Sequence, residues 1–190
     1  MREYATREAV AGISASVSRS VFRSVLDTPV GSVQLAVNDA GALIEILLPN
    51  RKPKASSSET LPPAAARGMT AARRQLSEYF RGERRVFDMP LEPVGSPFEQ
   101  RVWTKLLDVP YGATTSYGAI ASALGLVDGA RAVGRANGSN PIPIVIPCHR
   151  VIGSDGSLTG YGGGLPLKRA LLELEGAIQP ADPSLFESAQ

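Results

Sequence analysis

The 190-residue chain has a single cysteine, Cys148, and a single histidine, His149. One cysteine cannot close an intramolecular disulfide. One cysteine and one histidine cannot supply the three or four nitrogen and sulfur ligands of an ordinary zinc site, so no metal is expected. The thiol is then either a small buried side chain or a chemical group in its own right. A reducing compartment such as the cytoplasm fits this usage. Long apolar runs are missing too, and no stretch approaches the roughly 20 residues of a membrane span. Residues 1–20 mix acids and bases without an apolar centre, which excludes a secretory signal and reads as a flexible extension. Charge of one sign is also lacking: the net formal charge is +2, and neither half carries a polybasic block. Bulk charge alone therefore does not suggest nucleic acid.

What is present is the pairing itself, in the run Pro147-Cys148-His149-Arg150-Val151. A thiol becomes a strong nucleophile only as the thiolate, and an imidazole is its usual proton acceptor. The competing reading is a small buried hydrophobe beside a solvated histidine, the common fate of a free cysteine. The pair follows the apolar residues 142–146, which Pro143 interrupts and Pro147 stops. Prolines confine such a run to a sheet edge or an irregular strand. Gly153, Asp155 and Gly156 then form a turn, so Cys148 ends a stiff segment that enters a loop, where reactive residues are commonly displayed. On an extended segment, adjacent side chains point oppositely, and His149 would then reach the sulfur only through a water.

With 43% hydrophobic residues, the chain can build one large domain or two small ones. Residues 21–26, 32–37 and 42–48 are short β-rich runs separated by turns and read as an antiparallel meander. Residues 49–63 read as a loop. Residues 64–80 have helical spacing, with Met69, Leu76 and Phe80 on one face and Gly82 as a stop. Three prolines and a glycine in residues 90–97 suggest a linker. The expected organisation is a flexible extension (1–20), an N-terminal α/β domain (21–92), a C-terminal domain (93–176) and a tail (177–190).

The second half is mostly helical. Residues 98–107 form an amphipathic helix burying Phe98, Val102, Trp103 and Leu106. Thr115 or Ser116 can cap a helix over 117–124, and Asp128 can cap another over 129–138. Two short helices with a tight glycine-containing turn have the form of a helix-turn-helix. The second helix carries Gly134 and Gly138 four residues apart, each costing about 1 kcal/mol relative to alanine. Either another helix packs closely there, or a ligand backbone approaches. A smooth face with one long cation suits the narrow minor groove.

These motifs resemble the O6-alkylguanine-DNA alkyltransferase family, strongly over residues 96–176 and in layout only before that. The resemblance rests on Val102-Trp103, Pro110-Tyr111-Gly112, Thr115-Ser116-Tyr117, the run from Ala130 to Gly134, Asn140-Pro141, the run from Ile146 to Ile152, Gly160-Tyr161, Gly163-Gly164-Leu165, and residues 173–176. It implies an α+β protein: a small antiparallel-sheet domain with a helix, then a mostly helical, winged-helix-like domain carrying the helix-turn-helix. It implies direct repair of DNA, with the alkyl group of O6-alkylguanine passing permanently to Cys148 in one turnover; O4-alkylthymine is a second candidate substrate. No cofactor is implied. The partner is double-stranded DNA, bound through its minor groove by a monomer.

Within that resemblance, His149 and Glu175 form a water-bridged proton relay, although Glu175 alone would read as a solvated residue ending a helix over 167–174. Asn140 ties the recognition helix to the cysteine segment. The DNA-facing set is Ser116, Tyr117, Ala130, Arg131, Gly134 and Arg135, with Arg131 filling the stack vacated by a flipped base. Pro143, Val151, Tyr161 and Gly162 form the base pocket, with the main chain of Cys148 and Val151 accepting from the guanine amino group. Some members carry an N-terminal zinc site whose ligands are missing here. Some have serine where this chain has Gly162, which leaves the pocket roomier. Two other classes compete: a damage sensor that flips the base without transferring anything, and a cysteine hydrolase, for which no oxyanion-hole signature is visible.

Overall fold

The computed structural model describes residues 20–55 and 60–180. The N-terminal extension, the C-terminal tail beyond residue 180 and part of the loop expected at 49–63 lie outside the described residues. Three strands, β1 (Val21–Leu26), β2 (Val33–Asn38) and β3 (Leu43–Leu47), form an antiparallel sheet in that order. Gly31 at φ +107 makes the first turn and Gly41 at φ +85 the second, a backbone region that glycine enters without steric cost. Every residue of central β2 is buried.

Helix α1 (Pro63–Phe80) starts on a proline, whose missing N–H costs nothing in the first turn. Its buried residues include Ala65, Met69, Ala72, Leu76, Tyr79 and Phe80, the three-and-four spacing of a single helical stripe, and the stripe covers the sheet. Gly82 at φ +73 follows the helix end. The proline-rich residues 90–97 do not hang free. Leu43 donates to the Pro90 carbonyl and Glu92 donates back to Leu43, both at 2.9 Å, so Leu91 lies buried along β3. Prolines at 90 and 93 leave Leu91 and Glu92 their N–H groups, which is enough for this edge pairing.

Helix α2 (Pro97–Leu106) opens with a reciprocal capping box: Glu99 N–H donates to the Ser96 hydroxyl, and Ser96 N–H donates to the Glu99 carboxylate. It buries Val102, Trp103 and Leu106, whereas Phe98 stays half-buried. Strand β4 (Thr115–Ser116) leads into α3 (Tyr117–Ala123), capped by Ser116, whose Oγ accepts from Ala119 N–H at 3.1 Å. Helix α4 (Ala130–Gly138) is not capped by Asp128. Gly129 takes the N-cap, with no side-chain bond, and Asp128 sits at φ +52. A capping side chain works from extended backbone, and the left-handed Asp128 does not offer it.

Residues 142–146 are buried but form no sheet strand; Ile144 stands at φ +76 and Ile146 N–H closes on the Ile142 carbonyl at 2.9 Å. Cys148–Arg150 is one turn of 3-10 helix, not the extended segment that alternation assumed. Strand β5 (Val151–Ile152) then pairs parallel with β4, and α5 (Leu165–Leu174) closes the fold. A single continuous core runs through both halves. The α+β expectation, a small antiparallel sheet with a helix followed by a mostly helical part carrying a helix-turn-helix, is met.

One contact makes a sharp test of this packing. Gly68 lies inside α1, where alanine would ordinarily gain about 1 kcal/mol. Its missing Cβ would stand 2.0 Å from the carbonyl oxygen of Gly41, and backbone cannot yield as a side chain does. Gly68→Ala is therefore expected to lower stability by more than about 1 kcal/mol despite its better helix propensity. Thermal unfolding with an unchanged or raised midpoint would refute this helix-to-turn contact.

Candidate active site

The site is organised around one buried carboxylate. Glu175 follows α5 as its C-cap and its side chain is fully enclosed. Its Oε1 accepts from His149 Nε2 at 2.8 Å, Arg150 Nη2 at 2.9 Å and the Tyr79 hydroxyl at 2.7 Å. Its Oε2 accepts from Arg150 Nε at 2.8 Å and Gly112 N–H at 3.4 Å. Burial alone would push this carboxyl up; the hydrogen bonds from His149 and Arg150 and their charges outweigh it and hold Glu175 down at about 2. It is an anion throughout the neutral range.

That anion fixes the state of His149. Burial pushes the imidazole below its usual value, against the pull of Glu175, so it is neutral near pH 7. A neutral imidazole has one N–H. Since Nε2 faces an acceptor-only carboxylate, the proton sits on Nε2 and the lone pair on Nδ1. Nδ1 is buried and has no hydrogen-bond partner among the described residues. The arrangement is that of a base oriented by an acid.

Cys148 is 4% exposed. Burial pushes its thiol up to about 11; the Asn140 side chain, backbone N–H groups and the Lys168 charge favour the thiolate but do not overcome desolvation. At neutral pH the sulfur therefore rests as a neutral thiol. The 3-10 turn brings its carbonyl to Asn137 Nδ2 at 3.3 Å. Asn140 staples the loop before it, donating to the Ile146 carbonyl at 2.8 Å and accepting from Ile142 N–H at 3.0 Å. The tie from recognition helix to cysteine is thus shared by two asparagines.

Two adjoining clefts meet at Asn137, Gly138, Tyr161 and Gly162. One, about 560 Å³, reaches Cys148, Asn140 and Pro143. The other, about 570 Å³, is lined by Tyr117, Ala130, Arg131 and Gly134. Val151 lines neither, and its carbonyl accepts from Lys168 Nζ at 2.6 Å. The Tyr161 hydroxyl is buried without a partner among the described residues. Space around Gly162 is open, and its carbonyl accepts from Asn50 at 2.9 Å. Ser116 spends its hydroxyl on capping α3, and the Tyr117 hydroxyl accepts from Thr159 at 3.4 Å.

The glycines of α4 can now be judged. A Cβ at Gly134 would meet only the Tyr117 ring, at an ordinary 3.7 Å, and one at Gly138 would meet nothing. Close helix packing does not require them, which removes the packing alternative. Arg131 and Arg135 are exposed on the same helix.

Four residues at the site escaped the sequence reading: Tyr79, Arg150, Asn137 and Lys168. Lys168 donates to the carbonyls of Val151 and Thr159, both at 2.6 Å, and burial depresses it to about 8. A signal for it existed: Lys168, Leu171, Leu172 and Glu175 fall at one-face helical spacing, so both charged residues lie on the buried stripe.

Fold and site together define a two-part protein, a sheet-and-helix half joined to a helix-turn-helix half, with a lone cysteine backed by a histidine–carboxylate pair. Residues 21–93 match the ribonuclease-like domain, and residues 97–177 the DNA-binding domain, of 6-O-methylguanine DNA methyltransferase. The chain belongs to that family. It is 48% identical over 162 residues to a methylated-DNA–protein-cysteine methyltransferase of Mycobacterium tuberculosis, covering 85% of this chain and 96% of that one. It is 40% identical to the one of Methanosarcina acetivorans, covering 83% and 99%. The crystal structure of the Mycobacterium tuberculosis O6-methylguanine methyltransferase superimposes with a TM-score of 0.72 at 47% identity, covering 88% and 99%. Mycobacterium tuberculosis OGT in complex with DNA gives 0.71 at 46% identity, covering 87% and 99%.

The carboxylate makes a pH-dependent contribution whose sign is fixed. Glu175 is at about 2 when folded against an ordinary 4.5, so the unfolded chain takes up its proton first as pH falls. The stabilisation is complete above pH 4.5 and is lost towards pH 2; the depressed His149 adds a loss of the same sign, beginning near 6.5. Glu175→Gln leaves Arg150 buried without its anion and is expected to cost about 3–5 kcal/mol at pH 7, with a flatter acid limb. Urea unfolding of both proteins at pH 7, pH 4 and pH 3 measures this, and parallel pH profiles would refute it.

Proposed function

We propose that this protein repairs DNA by direct reversal, moving the alkyl group of O6-alkylguanine to its own Cys148 in a single turnover. The observation that carries the reading is the 2.8 Å contact of His149 Nε2 with Glu175, which leaves a buried Nδ1 with no partner among the described residues. The thiol proton passes through a bridging water to the Nδ1 lone pair. Sulfur attacks the saturated alkyl carbon, the S–C bond forms as the C–O6 bond breaks, and the departing guanine anion takes up the proton that the thiol gave to His149, which returns to its neutral form. With the thiol at about 11, ionisation at pH 7 costs about 5 kcal/mol, so the proton leaves only with the relay in place. The thioether product is inert and no second cysteine exists to release it, which makes the protein its own consumed reagent. The reaction needs a reduced thiol, and a reducing compartment such as the cytoplasm suits it.

Guanine stacked in a duplex hides its substituent, so the nucleotide must turn out of the helix. The open face of Ala130, Gly134 and Gly138 admits the minor-groove edge, Arg131 fills the vacated stack, and Arg135 and the backbone around Ser116 contact the phosphates. Tyr117 stands where it can press on the neighbouring phosphate. The base enters the cleft beside Tyr161, whose hydroxyl is free to meet O6, with Pro143 as the apolar wall. Of the two main-chain groups expected to receive the guanine amino group, Cys148 lines the cleft and keeps that role; Val151 lines neither cleft and its carbonyl is taken by Lys168, so it does not. The chain divides accordingly, with residues 93–176 doing chemistry and DNA binding, and residues 21–92 supporting them.

Incubation with an oligonucleotide containing O6-methylguanine is expected to add one methyl mass per chain, on Cys148, and none to Cys148→Ala. Tight binding without an adduct would mean a sensor, and continued turnover would mean a hydrolase. Extrusion has its own test. Arg131→Ala is expected to slow repair in duplex DNA about 10- to 100-fold, the worth of a few kcal/mol of unstacking, while leaving reaction with free O6-benzylguanine near its original rate. An unchanged ratio of the two rates would remove Arg131 from base flipping.

A further inference from the structure

Tyr79 belongs to α1, in the half of the chain that the DNA-binding match does not include. It lies 96 residues before Glu175, yet its hydroxyl donates to Glu175 Oε1 at 2.7 Å in a fully buried setting. That oxygen also accepts His149 Nε2–H. The phenol is held there by its neighbours: the ring meets Phe80 edge-on at 5.3 Å, Phe87 at 5.6 Å and Tyr111 at 6.1 Å. Nothing in packing alone requires a hydroxyl at this place, because phenylalanine would fill the same aromatic cluster. We propose that Tyr79 is a positioning residue of the transfer reaction, through which the N-terminal half sets both the place of the Glu175 carboxylate and the basicity of His149.

The physical argument is a competition for one oxygen. A hydrogen bond from the phenol draws charge from Oε1 and so weakens the attraction that Oε1 exerts on a protonated imidazole. It also removes a degree of freedom, since the carboxylate is gripped from α1 as well as from the Cys148–Arg150 turn. Burial and the nearby Glu175 charge keep the phenol protonated and therefore always a donor. Without the hydroxyl, Oε1 would carry more charge, His149 would bind its proton more tightly, and the free base would appear only at higher pH.

This inference rests on Cys148 being the alkyl acceptor, and the experiment keeps the two apart. Because His149 is the only histidine, its ring resonances in NMR report one site without ambiguity. The measurement is a pH titration of that ring, together with the rate of methyl transfer to Cys148 from an O6-methylguanine oligonucleotide over the same pH range. It is made on the full-length wild type, Tyr79→Phe and Phe87→Leu. For Tyr79→Phe we expect a higher ring midpoint, an acid limb of the rate profile displaced with it, and a plateau rate lowered about tenfold, with DNA affinity unchanged. Phe87→Leu disturbs the same aromatic cluster without touching Glu175, and is expected to lower stability and move neither limb nor midpoint. A Tyr79→Phe profile superimposable on the wild type, or an equal displacement in Phe87→Leu, would overturn the positioning role. Should Tyr79→Phe fail to fold, 3-fluorotyrosine at position 79, a stronger donor, is expected to move the ring midpoint downward, and an unmoved midpoint would overturn the role equally. A wild type that forms no adduct on Cys148 would overturn the transfer reading instead, whatever the tyrosine does.

Discussion

A carboxylate with no exposure to water is the constraint on which the rest of this structure depends. An ion taken from water into a protein interior loses several kcal/mol of solvation even after relaxation, and Glu175 recovers it only by collecting four donor residues from three separate places. Tyr79 comes from α1, Gly112 from the loop after α2, and His149 and Arg150 from the turn around the cysteine. Arg150 grips it with two nitrogens and gives a third, Nη1, to the Val109 carbonyl. Each donor must arrive together with the others, because a partial set leaves a buried charge short of partners. The carboxylate thereby welds segments that are remote in sequence, and the single core shared by both halves is the apolar counterpart of this polar joint.

The same carboxylate explains how a site can be reactive while its nucleophile is protonated at rest. A thiol desolvated to about 11 does not leak into side reactions with water-borne electrophiles. In the proposed transfer, the group that takes its proton is built alongside: an imidazole kept neutral by burial, with its N–H pinned to an anion. Lys168 supplies a nearby cation whose charge favours the thiolate and is favoured by it in return. The site stores no ionised sulfur; it stores the means of ionising one when a substrate is present.

How much of this was legible depends on the range over which each signal acts. The three strands are set by local alternation and glycine turns, and their predicted bounds shift by no more than a residue at either end. The cysteine–histidine pair announced itself by being alone. Asp128 failed as a cap because its backbone conformation, not its side chain, decides the matter, and a positive φ at a non-glycine residue has no local sequence signature. The alternation argument for Cys148 and His149 assumed a strand where a 3-10 turn forms. Glu175 and Lys168 were readable from periodicity alone, since both fall on the stripe that buries Leu171 and Leu172. Charge argued for solvent and spacing for burial; spacing prevailed because both side chains found partners. Tyr79 could not have been found this way, as its partner is 96 residues distant and nothing near it in sequence marks it from its aromatic neighbours.

Helix α4, the proposed recognition helix, lies directly against the turn that carries Cys148. On its inner side α4 is tied down at two successive residues: Trp103 Nε1 donates to the Ala136 carbonyl at 2.7 Å, and Asn137 Nδ2 donates to the Cys148 carbonyl at 3.3 Å. On its outer side Gly134 and Gly138 leave the backbone bare. One interior glycine, Gly134, and a terminal one, Gly138, weaken a nine-residue helix that has no side-chain cap, and the inner ties offset that weakness. The second tie ends at the main chain of Cys148. In the proposed complex, a load applied to the bare face by a bound duplex has a short route, through Asn137, to the main chain of Cys148.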